Sequence, residues 1–557
     1  MQSLKIFLRI VKFLGKVVLG LLVMLITVLA LLHLPPVQKQ VARKLSNYLS
    51  SKIEARVNCQ SVKFSMLGNV AIDDLTIWDP DSNKIFSAHK IEVRSNIFDL
   101  VTGELIFDEV HLGGIEGKLI QSEEGLNIQF IIDAFKPRES AAAADSTPLN
   151  VQFKKVVLED IVFEFTSEVD GVSISTRLGM FTSHGFEFYT NPARIKADHV
   201  ILQHTVVNAQ APSYANTINT TIASKGNDLI NLDFGSGLIF EIRELELADD
   251  EFSIHRNFVT DTPKFDPFNF TLKNIQLSLS DILIRDDTLA ASLQSLSAQL
   301  PGFVLTKAMA DIQLNRNRLT LSGLHLVSGT NEMRADIKAP YDLSSIKGAD
   351  FVQIKLDAQI NPGDFAYFFS DSVMNQFNWG NTALALEGDY AMGKGKLEML
   401  NLKTGNSQFY AEGTVGDVLS VDSMNWRDFV VTASIGPDFR NTLTPFIRNV
   451  NVPPFIALQL NTSGQLKNIF VDGKVLTAWG DIKVMGKVTP SSGNVGLDLN
   501  VIGEKVDLGE WMSQAWLGPA NLSVAANGFI GDDTNIKING LINDVELLDQ
   551  PIHDIAF

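Results

Sequence analysis

From about Val57 to Phe557 the chain is written in short runs in which every second residue is apolar, broken by Gly, Asp, Asn and Ser and by no long helical stretch. A period of two sends alternate side chains to opposite faces, which is the mark of half-buried antiparallel strands. Representative units are Val110, Leu112 then Ile115, Gly117, Leu119; Val156, Leu158 then Ile161, Phe163, Phe165; Leu245, Leu247 then Phe252, Ile254; and Ile275, Leu277 then Ile282, Ile284. Each reads as two strands around a short polar turn. A longer unit recurs with starts 76 residues apart: Leu324, Leu326, Gly329, Met333, Ala335, Ile337; Leu400, Leu402, Gly405, Phe409, Ala411, Gly413; and Leu476, Ala478, Gly480, Ile482, Val484, Gly486. Recurring strand units favour an extended sheet over separate globules.

At 557 residues the chain exceeds one compact core, and either about three to five domains or an elongated repeat would use that length. Phe is favoured, with 35 copies against 7 Tyr and 6 Trp. The net charge is -18, but residues 1–53 carry eight Lys or Arg and no acid, leaving 38 basic against 64 acidic residues beyond them. So acidic a body repels phosphate backbones and argues against nucleic-acid binding. The single Cys59 allows no internal disulfide and no zinc pattern.

Val17 to Leu34, VVLGLLVMLITVLALLHL, has the length and polarity of one transmembrane helix, with Val17, Leu21, Leu25, Leu29 and Leu32 among its anchoring residues. Lys5, Arg9, Lys12 and Lys16 precede it on one helical face, which orients the N-terminus to the cytoplasm. A cleaved signal peptide would end in a small-x-small site, and LHLPPVQKQ follows instead. Pro35 and Pro36 stop that helix, and Val37, Val41, Leu45, Leu49 and Ile53 then mark an amphipathic one, placed to pack on the first strands or to lie on the membrane surface. Residues 135–149, FKPRESAAAADSTPL, read as a flexible loop.

Short helices punctuate the second half. Asp507-Leu508-Gly509-Glu510 has capping-box spacing and leads into Trp511, Met512, Ala515 and Trp516, and Asp364 precedes Phe365, Phe368, Phe369 and Val373. Both are expected to close an end or edge of a sheet, with lipid contact by the aromatics as the alternative.

Chemistry is sparse. Ser344-x-x-Lys347 and Lys403-Thr404-Gly405 are two marks of penicillin-binding enzymes, but they lie too close together and lack the SDN element between them. His199 and His204, an odd offset apart on a strand, face opposite ways and share no metal. Trp78-Asp79-Pro80-Asp81-Ser82-Asn83-Lys84 begins like a calcium loop, but Lys84 stands where the turn needs Gly and Lys90 where a bidentate Glu belongs, so it reads as a turn. No cofactor, metal or catalytic residue is expected, and the chain is read as a non-enzyme.

The basic N-terminus, the uncleaved helix, LPPVQKQVARKLSNYLSSKI, VKFSMLGNVAIDDLTIWDPDSNKIFSAHKIEVR and IFDEVHLGGIEGKLIQ together resemble the N-terminal part of a TamB-type protein of the AsmA-like superfamily, of Bacteroidota type. LNLKTGNSQFYAEGTVGDV and LTAWGDIKVMGKVTP resemble that family's recurring strand-turn-strand-Gly pattern. The resemblance covers essentially the whole chain, whereas such proteins continue to a further C-terminal domain, so a fragment is expected. It implies a mainly β fold: an N-terminal transmembrane helix followed by an elongated, taco-like repeating β-groove of antiparallel strands with a few short helices. The corresponding segments are a cytoplasmic stretch at 1–16, the span at 17–34, the amphipathic helix at 35–54, a first β-groove segment at 55–134, the loop at 135–149, a central groove at 150–345 and a repeating groove segment at 346–557.

The function implied by the resemblance is phospholipid passage between inner and outer membranes through a periplasmic groove anchored in the inner membrane. The alternative is a scaffold or chaperone for outer-membrane protein insertion beside an outer-membrane barrel partner. On the first reading the partners are phospholipid acyl chains and the inner membrane, with no nucleic acid. Alternation then makes Ile161, Phe163, Phe165, Phe252, Ile254, Ile282, Ile284 and Phe409 the candidates to line the groove.

Overall fold

The structure, a computed structural model, describes residues 34–65, 69–95, 105–135, 150–169, 171–190, 192–211, 238–256, 264–266, 269–285, 288–315, 318–340, 351–371, 380–417, 423–437, 451–491, 494–531, 535–548 and 550–557. The expected span, with Val17, Leu21, Leu25, Leu29, Leu32 and the flanking Lys5, Arg9, Lys12 and Lys16, lies outside these residues, as do 136–149 and Ser344 to Lys347. Among the described residues no helix is long and apolar enough to cross a membrane. The protein is mainly β with few, short helices. It forms two units: the first runs to Pro301, and the second runs from Gly302 to Phe557 and also holds Lys264 and Phe265.

The first unit opens with α1 (Pro35–Ile53), which starts on its proline pair and ends where Glu54 turns left-handed and its N–H reaches the Ser50 carbonyl. Ala42 seals against Cys59 and Val62, with Val41, Leu45, Phe64 and Ile72 around them. The strands are β1 (Val57–Asn58), β2 (Ser61–Phe64), β3 (Val70–Trp78), β4 (Lys84–Ser95), β5 (Leu105–Ser122), β6 (Gly125–Leu126), β7 (Asn150–Ser167), β8 (Val172–Thr190), β9 (Ala193–Gln203), β10 (Val206–Ala211), β11 (Ile239–Arg256), β12 (Phe270–Arg285) and β13 (Thr288–Leu300). A helix not anticipated from the sequence, α2 (Gln129–Phe135), follows β6.

Most neighbours in the first unit pair antiparallel, but β5 pairs parallel with β7, and β11 pairs parallel with both β9 and β10. The latter two also share β8 on their other side, so they act as one strand broken at His204.

The apolar half-units are not pairs of strands around turns. β5 and β7 each run 18 residues through Gly114 and Asp160, β11 runs 18 through Asp249, and β12 runs 16 through Asn274 and Asp281. All five of those residues have positive φ, between 51° and 60°. One extra residue in the left-handed conformation lets the apolar face resume three positions later on the same side, and Gly, Asp and Asn tolerate that conformation best. The kinks also line up. Asp73 pairs with Lys90 and Leu75 with Ala88; Gly113 pairs with Glu159 and Ile115 with Ile161; and Glu159 pairs with Met180 and Ile161 with Leu178. Because neighbouring strands carry the step together, the ladder stays in register and the sheet gains a crease.

The second unit is an antiparallel meander in which each strand pairs with the next. Its strands are β14 (Phe303–Leu314), β15 (Leu319–Ser328), β16 (Asn331–Ala339), β17 (Val352–Ile360), β18 (Thr382–Ala391), β19 (Lys394–Thr404), β20 (Ser407–Gly416), β21 (Asn425–Ile435), β22 (Ile456–Gln465), β23 (Asn468–Thr477), β24 (Gly480–Ser491), β25 (Asn494–Asp507), β26 (Leu517–Gly531), β27 (Asn535–Leu547) and β28 (Gln550–Ala556).

The 76-residue spacing is only partly structural. Gly329 and Gly405 turn at equivalent places, pairing Leu326 with Met333 and Leu402 with Phe409. In the third match Thr477 pairs with Gly480, so Ala478 and Trp479 form the turn and Val475, not Leu476, takes the equivalent face. Each hairpin holds the start of the next connection: the Asn361 N–H donates to Asn331 Oδ1 at 2.6 Å, Gly436 N–H to Ser407 Oγ at 3.0 Å, and Asp507 N–H to the Trp479 carbonyl at 2.8 Å.

The helices of this unit are shorter than the sequence suggests. A 3-10 turn spans Pro362–Phe365, capped by Asn361, and α3 spans Leu508–Met512, capped by Asp507 and ended by the left-handed Ser513. Ala515 and Trp516 therefore fall beyond the helix, and Val373 lies outside the described residues. Phe365 and Phe368 instead cluster with Phe303, and Phe368 also meets Phe265 and Tyr367, with ring centroids 5.0 to 6.5 Å apart.

Candidate functional site: an apolar face carried from strand to strand

In the second unit the register joins apolar residues into ladders that cross the strands without a polar member. One runs Leu324, Ala335, Leu356, Leu386, Leu400, Ala411, Val431, Leu460, Gly473, Val484, Val501, Val524 and Gly540. Beside it, Phe409 sits between Leu402 and Ala433 in a ladder that begins at Leu326 and Met333 and ends at Ile542 and Ile555. At roughly 4.8 Å per strand, the path from β15 to β28 measures about 60 Å along the sheet.

Apart from Gly503, Ala335, Ala358, Ala411 and Ala433, which are buried, these ladder residues are half-buried. Two packed layers would seal Leu, Ile and Phe between them. Here the largest side chains below 2% exposure are Thr404, Pro453, Ser167, Ser183, Ser253 and Ser407, and many of the sealed apolar residues of the second unit are alanines such as Ala335, Ala358, Ala411 and Ala433. Among the described residues the face is a lane with an open side, not the inside of a filled core.

The first unit has the same construction. One ladder runs Ile72, Ile91, Leu112, Leu158, Phe181, Leu202, Leu247, Leu277 and Leu296. Across the crease, Ile161 stands between Ile115 and Leu178. Phe163 and Phe252 belong to a single ladder, joined through Thr176 and Val207, and Phe165 and Ile254 to the next, joined through Ile174 and Ala209. The Phe252 and Phe270 rings lie 6.1 Å apart. Ile282 pairs with Ile242, and Ile284 with Phe240. The candidates in this unit thus sit on continuous ladders, and Phe163 keeps 40% of its surface exposed.

The opposite faces are held by cross-strand ion pairs: Lys154 with Asp108 at 2.6 Å, Arg94 with Glu109 at 2.9 Å, Lys355 with Glu387 at 3.4 Å and Lys474 with Asp481 at 3.2 Å. Hydrogen bonding from Lys90 and then Arg94 holds the Glu92 carboxyl below its usual range against the burial that opposes it. Burial raises Asp73, but hydrogen bonds from Lys63 and Ser61 outweigh it and the net shift is downward. Burial pushes the Cys59 thiol up, away from reactive thiolate.

Among the described residues the motifs that the sequence singles out do not come together. Trp78 to Lys84 is a turn in which Asp79 Oδ1 accepts from the Asn83 N–H at 2.7 Å, and Asp79 thereby spends itself on the backbone. His199 lies 3.6 Å from Glu246, while His204 is the left-handed break between β9 and β10 and lies 4.0 Å from Asp249. Among the described residues no group of three or more His, Cys, Asp or Glu could hold a metal. Lys403 and Thr404 end a strand before the Gly405 turn. Sequence reasoning missed the kink residues, although the three-residue step in the apolar alternation was their signal. Comparisons with protein-family models, curated proteins and solved structures find no match to this chain.

Proposed function

We propose that the chain is a lipid conduit: a protein anchored in the inner membrane by its N-terminal helix, whose creased sheets form a taco-like periplasmic groove that carries phospholipid acyl chains between inner and outer membranes. The observation that supports this reading is the apolar lane of the second unit, unbroken by a polar side chain over strand after strand and left half-exposed by the described residues. Each methylene kept from water on such a surface is worth about 0.8 kcal/mol, so a continuous lane lets an acyl chain move without ever crossing a polar gap. The work needs no nucleophile, metal or nucleotide.

The test is transfer of a fluorescent phospholipid from donor to acceptor vesicles by the full chain. A charge in the lane, Leu460→Asp, should slow transfer, whereas Gln459→Asp on the other face should not. Equal transfer by both variants would sink the proposal. The alternative, a scaffold for outer-membrane protein assembly, has no observation that singles it out.

A further inference from the structure

Three glycines interrupt the lane together. Leu397 on β19 is flanked across the strands by Gly388 on β18 and Gly413 on β20, and Gly395 lies two residues away on its own strand. Two of them are there for backbone reasons: a Cβ on Gly388 would come within 2.9 Å of the Lys396 carbonyl, and one on Gly413 within 2.5 Å of the Phe429 ring. Beside Gly388 and Gly395 lies a depression of about 290 Å³ walled by Val352, Ile354, Leu386, Tyr390, Leu397 and Val415, with Asp389 and Lys396 also in its lining. Another concavity of this unit, around Asp472, Lys474, Asp481, Lys483 and Glu504, is lined mainly by polar side chains of the outer face.

We infer that this depression is a seat for a single acyl chain, the place along the lane where a lipid tail rests longest. The inference builds on the conduit reading and gives it a preferred stop. A tail fits better than a phosphate head group, because the walls are mostly apolar, Asp389 would repel an anion, and the cation Lys396 already pairs with Glu398 at 2.5 Å. At roughly 30 Å³ per small heavy group in a liquid, the space takes on the order of ten methylenes. Elsewhere on the lane a tail lies on a surface; here it sinks into one, and more of its area leaves water.

The experiment uses the full chain with two probes, a phosphatidylcholine and a free fatty acid, each with a diazirine in its tail, and maps the crosslinked residues by mass spectrometry. Adducts are expected to concentrate on Val352, Leu386, Leu397 and Val415. Filling the seat with Val415→Trp should weaken retention about tenfold, the effect of losing about two buried methylenes, while Lys483→Trp on the outer face should not. Both probes at the seat would identify the tail itself as the ligand, and one probe alone would show which source the site accepts. Adducts spread evenly along the lane would overturn the seat and leave the conduit standing. Adducts on neither seat nor lane would overturn both. Because mapping is done on the unaltered protein, failure of the Trp variant to fold would not remove the test.

Discussion

At the scale of single residues, the fold depends on a handful of positions that must turn left-handed inside a strand. Gly114 sits at φ 60°, and a Cβ there would come within 2.8 Å of the His89 Cβ. Gly114→Ala should therefore cost about 1–2 kcal/mol or more in chemical denaturation, whereas Asp160→Gly, at a comparable φ of 52°, should be nearly neutral. Asp73 gives a pH signature. Its folded pKa lies below its unfolded one, so the stabilisation it contributes is fully present above the ordinary aspartate value, about 4, and is lost as pH falls through the lower folded value. The stability gap between the native chain and Asp73→Asn should accordingly be constant near neutrality and close under acid, as read from urea midpoints across pH. A gap that widened under acid would contradict the ion pair with Lys63.

Kinks and turns draw on the same residue types, which is why Asp160 and Gly114 read as turns. The pattern that separates them is the resumption of the apolar face three positions on, repeated in the partner strand: Leu112 to Ile115 beside Leu158 to Ile161.

At the scale of elements, the kink carries a phase. Deleting Asp160 should turn Ile161, Phe163 and Phe165 toward the charged face, at a cost on the order of 3 kcal/mol or more. A deletion no worse than Asp160→Gly would show that the kink does not set the phase. The helices are governed by their ends. Asp507 Oδ1 accepts from the Glu510 N–H at 3.1 Å, and Asp507→Ala should cost about 1 kcal/mol and disturb the contact of Trp511 with Trp479, whose rings lie 5.7 Å apart, as seen in Trp fluorescence.

The capping signal at Asp507 located its helix correctly but not its length, whereas Asp364 lies inside a 3-10 turn that Asn361 caps and that ends at Phe365, where the expected helix would begin. The aromatic periodicity toward Trp516 continued past Ser513, whose left-handed backbone ends the helix after five residues, and Phe368 is recruited by Phe303 and Phe265 instead of by a second helical turn. Contacts between distant segments overrode a local pattern.

At the scale of the whole molecule, alternation indicated which neighbours on one strand share a face, as Ile161, Phe163 and Phe165 do on β7 and Phe252 and Ile254 on β11, although Thr176 stands in the ladder that joins Phe163 to Phe252. Their companions were not legible. That Phe163 and Phe252 share a ladder follows from the parallel pairing of β10 with β11 and the double use of β8, which no local pattern encodes. The seat beside Leu397 was equally hidden, since Gly388, Gly395 and Gly413 become neighbours only through register.

The central claim is that the apolar face of each unit holds lipid. Photo-crosslinking groups placed at Phe163, Phe252 and Phe409, with Glu164 and Gln408 on the opposite face as controls, test it in membranes containing phospholipid. Phospholipid adducts are expected at the three aromatic positions and none at the controls. Adducts to protein alone at those three positions would contradict it and favour a scaffold for membrane-protein assembly.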